Sequence, residues 1–324
     1  MIIIDILYII GGLLLLVKGG DWLIAGAVGI ARRLKLSNMV IGLTIVGFGT
    51  SAPEFLVSLQ AAMQGSSGIA LGNVVGSNIA NIALILGMTA AIAIVPAKKI
   101  TLYVDMPFLL LASLLLLAAA WSGSILQWHG ILAMALLIGY VTWQVRNSRK
   151  NPNPEEESPE VSSTPMNIWL AIGLVTCACA ALTFGADWLV EGASNIARLI
   201  GDSLQVAPAT MERIIGLTIV AIGTSLPELF ASFTAARKGE TDMAIGNVIG
   251  SNIFNILCVV GASAAIHPIH DAWEGFKTDY LLMIAVTLLL WFMLRTRYRL
   301  SHGEGWVLLA IYVSFIASTL LSAI

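Results

Sequence analysis

Long apolar runs separated by short polar breaks fill the chain of 324 residues. A helix that crosses a bilayer needs about 20 consecutive, mainly apolar residues, and ten runs are long enough. The predicted helices cover residues 4–30, 38–64, 68–95, 101–121, 125–145, 167–197, 213–236, 243–266, 278–295 and 304–323. The pattern therefore predicts an all-α polytopic membrane protein with ten transmembrane helices.

One polar segment, RNSRKNPNPEEESPEVSSTP, interrupts the apolar pattern between the fifth and sixth predicted helices. It is rich in Pro, Ser and Glu and has no apolar period, which is typical of a solvated linker. The sequence therefore predicts a five-helix unit at 1–145, a linker at 146–166 and a second five-helix unit at 167–324.

The composition agrees with a lipid environment. Hydrophobic residues make up 58% of the chain and charged residues 11%, with a mean hydropathy of +0.89, whereas soluble domains carry about 25% charged residues. Lys and Arg collect on the cytoplasmic side of membrane proteins. If the linker is cytoplasmic, its side carries 13 of them and the opposite side 3. We therefore expect a multi-pass protein of the cytoplasmic (inner) membrane, with the linker inside and both termini outside.

The N-terminal segment and the cysteines do not indicate any other class of protein. Met1 opens an apolar run without a basic start, which favours a retained spanning helix over a cleaved signal peptide. The spacing of Cys177, Cys179 and Cys258 fits no thiolate metal site, and all three lie in apolar runs. They are interpreted as free, small hydrophobic side chains, and no cofactor is expected.

Residues 42–87 and 216–261 are two copies of one sequence. They align without gaps, and 25 of the 46 positions are identical. The first helix of each unit also matches, GGDWLIAGA at 19–27 and GADWLVEGA at 185–193. Because each unit has an odd number of predicted helices, the second copy crosses the membrane in the opposite sense. The sequence therefore predicts two inverted-topology repeats, which many secondary transporters have around a site near the midplane.

The two copies share polar side chains inside their apolar runs. In each copy a hydroxyl residue stands four positions before an acid or an amide, so the two side chains share one helix face. A serine also follows each repeated threonine. These candidate ligands are Thr50, Ser51, Glu54, Ser77, Asn81, Thr224, Ser225, Glu228, Ser251 and Asn255.

A proline precedes each repeated glutamate. Pro53 and Pro227 cannot donate a backbone hydrogen bond and clash with the carbonyl four residues earlier, which frees the carbonyls of Gly49 and Gly223 or of their neighbours. Unwound backbone inside a membrane is tolerated where it is buried in protein or lines a wet cavity. The predicted broken helices therefore offer carbonyl oxygens to a cation.

The chemistry of these groups favours a hard cation. All candidate ligands are oxygens, which suit Ca²⁺, Na⁺ or Mg²⁺, and six to eight flexible oxygens favour Ca²⁺ over Mg²⁺. An ionised glutamate near the bilayer centre costs at least ~2.5 kcal/mol, and two of them repel each other. A divalent cation relieves both penalties.

The paired motifs G-T-S-x-P-E and G-N-x-x-G-S-N-I resemble those of the cation/Ca²⁺ exchanger superfamily, in particular the sodium/calcium exchanger family and its short prokaryotic members. The resemblance implies a central Ca²⁺ site made mainly by Glu54 and Glu228, with Thr50 and Thr224. It also implies flanking Na⁺ sites, and their expected ligands are Ser51, Ser77, Ser225, Ser251 and the carbonyls of Gly47 and Ala221. The first and sixth helices would slide across the other eight, giving alternating access.

One position departs from the family pattern. Studied members often carry Asp where this chain has Asn255, opposite an Asn at the position of Asn81. With Asn at both positions the site holds at most a charge of −2. One Ca²⁺ or two Na⁺ neutralise it, whereas three Na⁺ leave it at +1, so the Na⁺ stoichiometry stays open.

The favoured function is antiport of Ca²⁺ against Na⁺, with H⁺-coupled Ca²⁺ or cation antiport as the alternative. An intramembrane enzyme needs a nucleophile–base pair or an acid dyad, which would leave the serines and asparagines without a task, so we expect no enzyme. The expected partners are the ions and the lipid bilayer, without nucleic acid or an obligate protein partner. A second repeated acidic pair, Asp21 and Asp187, either stabilises the structure or lines an ion path.

Overall fold

The computed structural model describes residues 2–65, 67–150, 166–204, 221–270, 272–273 and 276–323, which are mostly helical. The helices are α1 (Ile2–Leu34), α2 (Asn38–Thr50), α3 (Ala52–Met63), α4 (Ser67–Ile92), α5 (Thr101–Trp121), α6 (Gln127–Lys150), α7 (Ile168–Ser203), α8 (Ala221–Gly223), α9 (Leu226–Arg237), α10 (Thr241–Ile266), α11 (Lys277–Arg297) and α12 (His302–Ala323). Two strands, β1 (Val95–Pro96) and β2 (Arg299–Leu300), pair antiparallel.

Seven of these helices are long and apolar enough to cross a bilayer, and the bent pair α2–α3 makes an eighth. The seven are α1, α4, α5, α6, α7, α10 and α11. The predicted segment 213–236 lies partly outside the described residues, and α12 covers the predicted segment 304–323. The count of ten spans and their opposite orientation therefore stay predictions. Helix α6 continues to Lys150, so the predicted linker at 146–166 begins five residues too early, and residues 151–165 lie outside the described chain.

The predicted breaks fall two residues before the prolines. Helices α2 and α3 meet at 49° around Ser51, whose φ of −83° and ψ of 6° leave the helical range. Ser225, between α8 and α9, has nearly the same angles, −91° and 5°. Pro53 and Pro227 occupy the first turn of α3 and α9, where a helix needs no N–H donor. Each proline thus begins a new helix.

Among the described residues, four π-helical turns interrupt the helices, at Gly42–Val46, Asn81–Leu86, Thr101–Asp105 and Asn255–Val260. Such turns are rare and frequently mark functional sites. Two of them begin at the predicted ligands Asn81 and Asn255. Each of these two turns begins two residues after the repeated G-S-N-I motif ends.

Contacts at the helix ends follow the sequence repeat. Val95 pairs with Leu300, and Ile125 forms a bridge with Ile269. Val95 and Ile269 are related by the repeat offset of 174 residues. The two halves of the chain therefore close their helix ends with equivalent backbone contacts.

Helices α1 and α7 pack against each other along their length through small residues. A Cβ on Gly12 would lie 2.6 Å from the carbonyl oxygen of Gly185, and a Cβ on Gly192 would lie 2.6 Å from that of Asp5. Asn195 also donates to the Asp5 carboxylate at 2.9 Å. The two helices thus approach closely at these glycines, and larger side chains such as Leu182 and Leu189 pack into the space that the glycines leave.

The glycines of the G-N-x-x-G-S-N-I motif give the first testable prediction. A Cβ on Gly250 would lie 2.6 Å from the Cα of Leu43, whereas a Cβ on its repeat partner Gly76 would meet nothing within 4 Å. Because a backbone atom cannot move aside, we expect Gly250→Ala to destabilise the protein by about 2 kcal/mol or more. Gly76→Ala should be neutral or stabilising by up to ~1 kcal/mol, since Ala favours helix. Thermal unfolding of both variants in one detergent checks this, and equal unfolding temperatures would contradict it.

Candidate cation-binding site

Two glutamates occupy the centre of the bundle. Glu54 in α3 is 1% exposed and Glu228 in α9 is 0% exposed. Ser51 Oγ donates to Glu228 Oε1 at 3.0 Å, which links the two copies of the repeat. Within the described chain, both carboxylate oxygens of Glu54 and Oε2 of Glu228 have no hydrogen-bond partner. Buried carboxylates in this condition are costly unless a cation or proton joins them.

Hydroxyl and carbonyl oxygens surround the break in α2–α3. Thr50 Oγ1 lies 3.3 Å from Asn247 Oδ1 and 3.4 Å from Ser251 Oγ. Ser251 Oγ in turn lies 3.4 Å from the carbonyl oxygen of Gly47. The segment before the helix break thus brings the Thr50 hydroxyl of the first copy against two side chains of the second, and the Gly47 carbonyl against one of them.

The repeated asparagines at the π-helical turns are both buried, but their hydrogen bonding differs. Asn81 Nδ2 donates to Asn252 Oδ1 at 2.9 Å, while Asn81 Oδ1 has no partner among the described residues. For Asn255 neither amide atom has one, and the Oγ of Ser225 is equally unpartnered in the part of the chain that is described. These buried polar atoms, like those of the glutamates, have no hydrogen-bond partner in the described chain, which is costly for groups away from water.

Two further asparagines brace the glutamate helices. Asn73 Nδ2 donates to Ser58 Oγ at 2.8 Å and to the carbonyl oxygen of Glu54 at 3.2 Å. Asn247 Nδ2 repeats this in the second copy, with Ser232 Oγ at 2.8 Å and the carbonyl of Glu228 at 3.3 Å. The sequence motif therefore supplies both ligand candidates and the residues that hold the glutamate backbone in place.

The remaining predicted ligands are Ser77, Thr224 and Ala221. Ser77 is 5% exposed in α4, four residues before Asn81. Thr224 is half-buried at the break between α8 and α9, and Ala221 begins α8. The sequence prediction that these two residues contribute a hydroxyl and a carbonyl stays a prediction.

Cys179 is a neighbour of the site that the sequence pattern did not reveal. A Cβ on Gly49 would lie 2.6 Å from its Sγ, so α7 rests directly against the α2–α3 break. The spacing of the cysteines gave no signal for this contact, because it depends on how α7 packs. Helix α7, the sixth predicted helix and one of the two expected to slide, thus touches the backbone that precedes Thr50.

Two acids outside the glutamate pair are held by structural contacts. Asp105 is buried, and it accepts hydrogen bonds from Tyr140 at 2.8 Å and from Gln144. Asp21 in α1 forms an ion pair with Lys238 at 2.7 Å, at the end of α9. This favours the structural interpretation for Asp21.

Comparisons with known proteins find relatives that match nearly the whole chain. The family model of the sodium/calcium exchanger protein matches residues 4–146 and 170–321. The putative antiporter CaxA of Alkalimonas amylolytica is 38% identical, with 95% of this chain and 96% of the relative covered. The sodium/calcium exchanger MaX1 of Methanosarcina acetivorans is 34% identical, with 98% of each covered. The solved structure of the sodium-calcium exchanger NCX_Mj, soaked with Na⁺ and Sr²⁺, superposes with a TM-score of 0.81 at 30% identity, covering 98% of this chain and 99% of its own.

Proposed function

Because the chain belongs to the sodium/calcium exchanger family and is an antiporter of that family, we propose that it exchanges Ca²⁺ for Na⁺ at the two buried glutamates. The observation that carries this proposal is the set of three unpartnered carboxylate oxygens of Glu54 and Glu228 in the interior of an apolar bundle. A cation supplies the positive charge that the described surroundings of these oxygens do not.

In the proposed central site, Glu54 and Glu228 hold Ca²⁺ with Thr50 and Thr224. Flanking Na⁺ ions bind to serine hydroxyls and to the carbonyls at the helix breaks, and the proposed ligands are Ser51, Ser77, Ser225, Ser251, Gly47 and Ala221. The approach of Ser251 Oγ to the Gly47 carbonyl supports one such position. Asn81 and Asn255 complete the oxygen set, with the unpartnered amide oxygen of each.

The proposed mechanism is alternating access. The ten spans form two inverted five-helix repeats in the cytoplasmic membrane, with the linker on the inside. Helices α1 and α7 slide across the remaining helices and open the site to one side at a time. The backbone contacts between Gly12 and Gly185 support movement of α1 and α7 as one unit, because they hold these two helices close together.

Ca²⁺ uptake into proteoliposomes tests the function. An outward Na⁺ gradient at equal pH is expected to drive uptake, and the same uptake should be absent without any gradient. Uptake driven only by an outward H⁺ gradient would identify protons as the coupling ion in place of Na⁺. The unpartnered carboxylate oxygens could also accept protons. Absence of Ca²⁺ movement under both gradients would contradict the proposal.

The ion pair between Asp21 and Lys238 predicts a bias between the two access states. The repeat partner of Asp21 is Asp187, and the repeat partner of Lys238 is Gln64, which cannot form an ion pair. Of the pairs Asp21–Lys238 and Asp187–Gln64, only the first therefore joins opposite charges. Its Nζ and carboxylate are 2.7 Å apart, and both side chains are about two-fifths exposed.

We expect Lys238→Gln to shift the half-saturating Ca²⁺ concentrations measured from the two membrane sides in opposite directions, by up to about fivefold. An exposed ion pair contributes ~0.2–1 kcal/mol, and 1.4 kcal/mol is tenfold. Lys99→Gln, an exposed lysine before α5, is the matched control and should change neither value. Unchanged values in Lys238→Gln, at low ionic strength where the pair is least screened, would contradict a bias from this contact.

A further inference from the structure

A cavity of about 300 Å³ lies between α5, α6 and α10, away from the glutamates. Its walls are mainly apolar side chains, including Ala112, Ala119 and Ala133. Three exposed apolar residues, Leu115, Trp128 and Leu132, rim its mouth on the faces of α5 and α6 that other helices leave uncovered. Both helices are candidate spans, so the cavity opens toward the hydrocarbon of the bilayer.

The second half of the chain carries larger residues at the equivalent positions. Gly130 packs on the Gly261 carbonyl as Gly305 packs on the Gly87 carbonyl, which aligns α6 with α12 and α5 with α11. In this alignment the small cavity residues have bulkier and buried counterparts. The pairs are Ala112 with Val286, Ala119 with Met293 and Ala133 with Leu308.

The cavity is therefore the product of three alanines in one half only. Interiors are packed with few voids larger than a water molecule, and a space of this size falls within the range of ligand pockets. The fold itself does not require the space, since the related half fills it with ordinary core residues. A molecule from the surroundings is the simplest means of filling it.

We propose that this cavity binds one acyl chain of a membrane phospholipid. The mouth faces the apolar layer, where acyl chains are the solvent. The rings of Trp128 and His129 are in contact at the start of α6, with centroids 3.6 Å apart and planes tilted by 33°, and aromatic rings at helix ends lie at the level of lipid headgroups. A lipid whose headgroup lies beside these rings can insert its chain between α5 and α6.

One wall of the cavity belongs to the π-helical turn that begins at Asn255. Ile256, Leu257 and Val260 line the cavity, and all three belong to this turn. A bound chain thus packs against the turn that carries a proposed cation ligand. Ile256 and Leu257 are 3% and 2% exposed, so annular lipid on the outer surface of the bundle cannot reach them.

Photolabelling with a phospholipid that carries a diazirine in one acyl chain tests the proposal without any transport measurement. The full-length protein in liposomes is irradiated, and labelled peptides are mapped by mass spectrometry. The expected result is label on Ile256 or Leu257, together with label on exposed residues of α11 such as Leu281 and Leu288 as the annular reference. Label on the reference residues but not on the buried pair would overturn the proposal.

A cavity-filling variant sharpens the result. Ala119→Met with Ala133→Leu introduces the residues that the second half uses at these positions, and Ala112→Val is the milder alternative if the double variant does not fold. Filling should remove the label from Ile256 and Leu257 and leave the label on α11 unchanged. Persistent labelling of the buried pair at full yield would overturn the proposal, as would labelling by a soluble aryl diazirine but not by the lipid, which would indicate a small apolar molecule.

Discussion

Glu54→Gln is expected to lower Ca²⁺ exchange by at least about a hundredfold while the protein stays folded. The carboxylate oxygens of Glu54 have no partner among the described residues, so the amide leaves no broken contact and removes one of the two negative charges. Loss of one partner from a buried charge pair costs about 3 kcal/mol or more, and each 1.4 kcal/mol is tenfold in affinity. Glu228→Gln should act alike. Na⁺-driven Ca²⁺ uptake into liposomes measures both variants.

The matched control is Asp202→Asn, an acid-to-amide change at an exposed position in the last turn of α7, which should leave exchange unchanged. Thermal unfolding separates binding from folding. Ca²⁺ at a hundred times its dissociation constant stabilises a protein by ~2.7 kcal/mol, so Ca²⁺ should raise the unfolding temperature of the wild type and of Asp202→Asn only. Full exchange by Glu54→Gln would remove the glutamates from the proposed site.

Much of the site follows from periodicity and the repeat. Spacing of four residues places Thr50 and Glu54 on one face, and the prolines mark where the helices break, so the sequence predicts both the ligands and the bend. The boundaries of several helices, such as the pair α2–α3 over 38–63 for the predicted 38–64, agree within a few residues because a bilayer imposes a length on each span. The identity of residues 42–87 with 216–261 further predicts that two such segments share one site.

Other features depend on packing, which periodicity does not describe. The hydrogen bond from Ser51 to Glu228 joins opposite copies, and a repeat alone does not state which side chain of one copy meets which of the other. Cys179 reaches Gly49 only because α7 crosses the break closely. The burial of Asp105 likewise requires Tyr140 and Gln144 from α6, whose sequence spacing gives no sign of the partner.

The charge of the site predicts how exchange responds to voltage. Glu54 and Glu228 give at most −2, and Asn255 adds none. A buried site is least costly to move through a low-dielectric interior when its cargo neutralises it. We therefore expect two Na⁺ per Ca²⁺, so that a turnover carries no net charge. An imposed potential of about 100 mV changes the energy of one moved charge by ~2.3 kcal/mol, which corresponds to about a fiftyfold change in an ion gradient. The Ca²⁺ gradient that the wild type reaches should show no such shift.

Asn255→Asp tests the same argument from the other side. The third carboxylate brings the site to −3, so a third Na⁺ is expected to bind and one net charge to move per turnover. The Ca²⁺ gradient reached at a fixed Na⁺ gradient should then shift about fiftyfold per 100 mV, while the neutral control Asn255→Gln should stay insensitive. A fiftyfold shift in the wild type would contradict the charge count. Coupling to protons would not contradict the charge count, because two H⁺ neutralise the two glutamates just as two Na⁺ do. Voltage therefore tests the charge count independently of the driving ion.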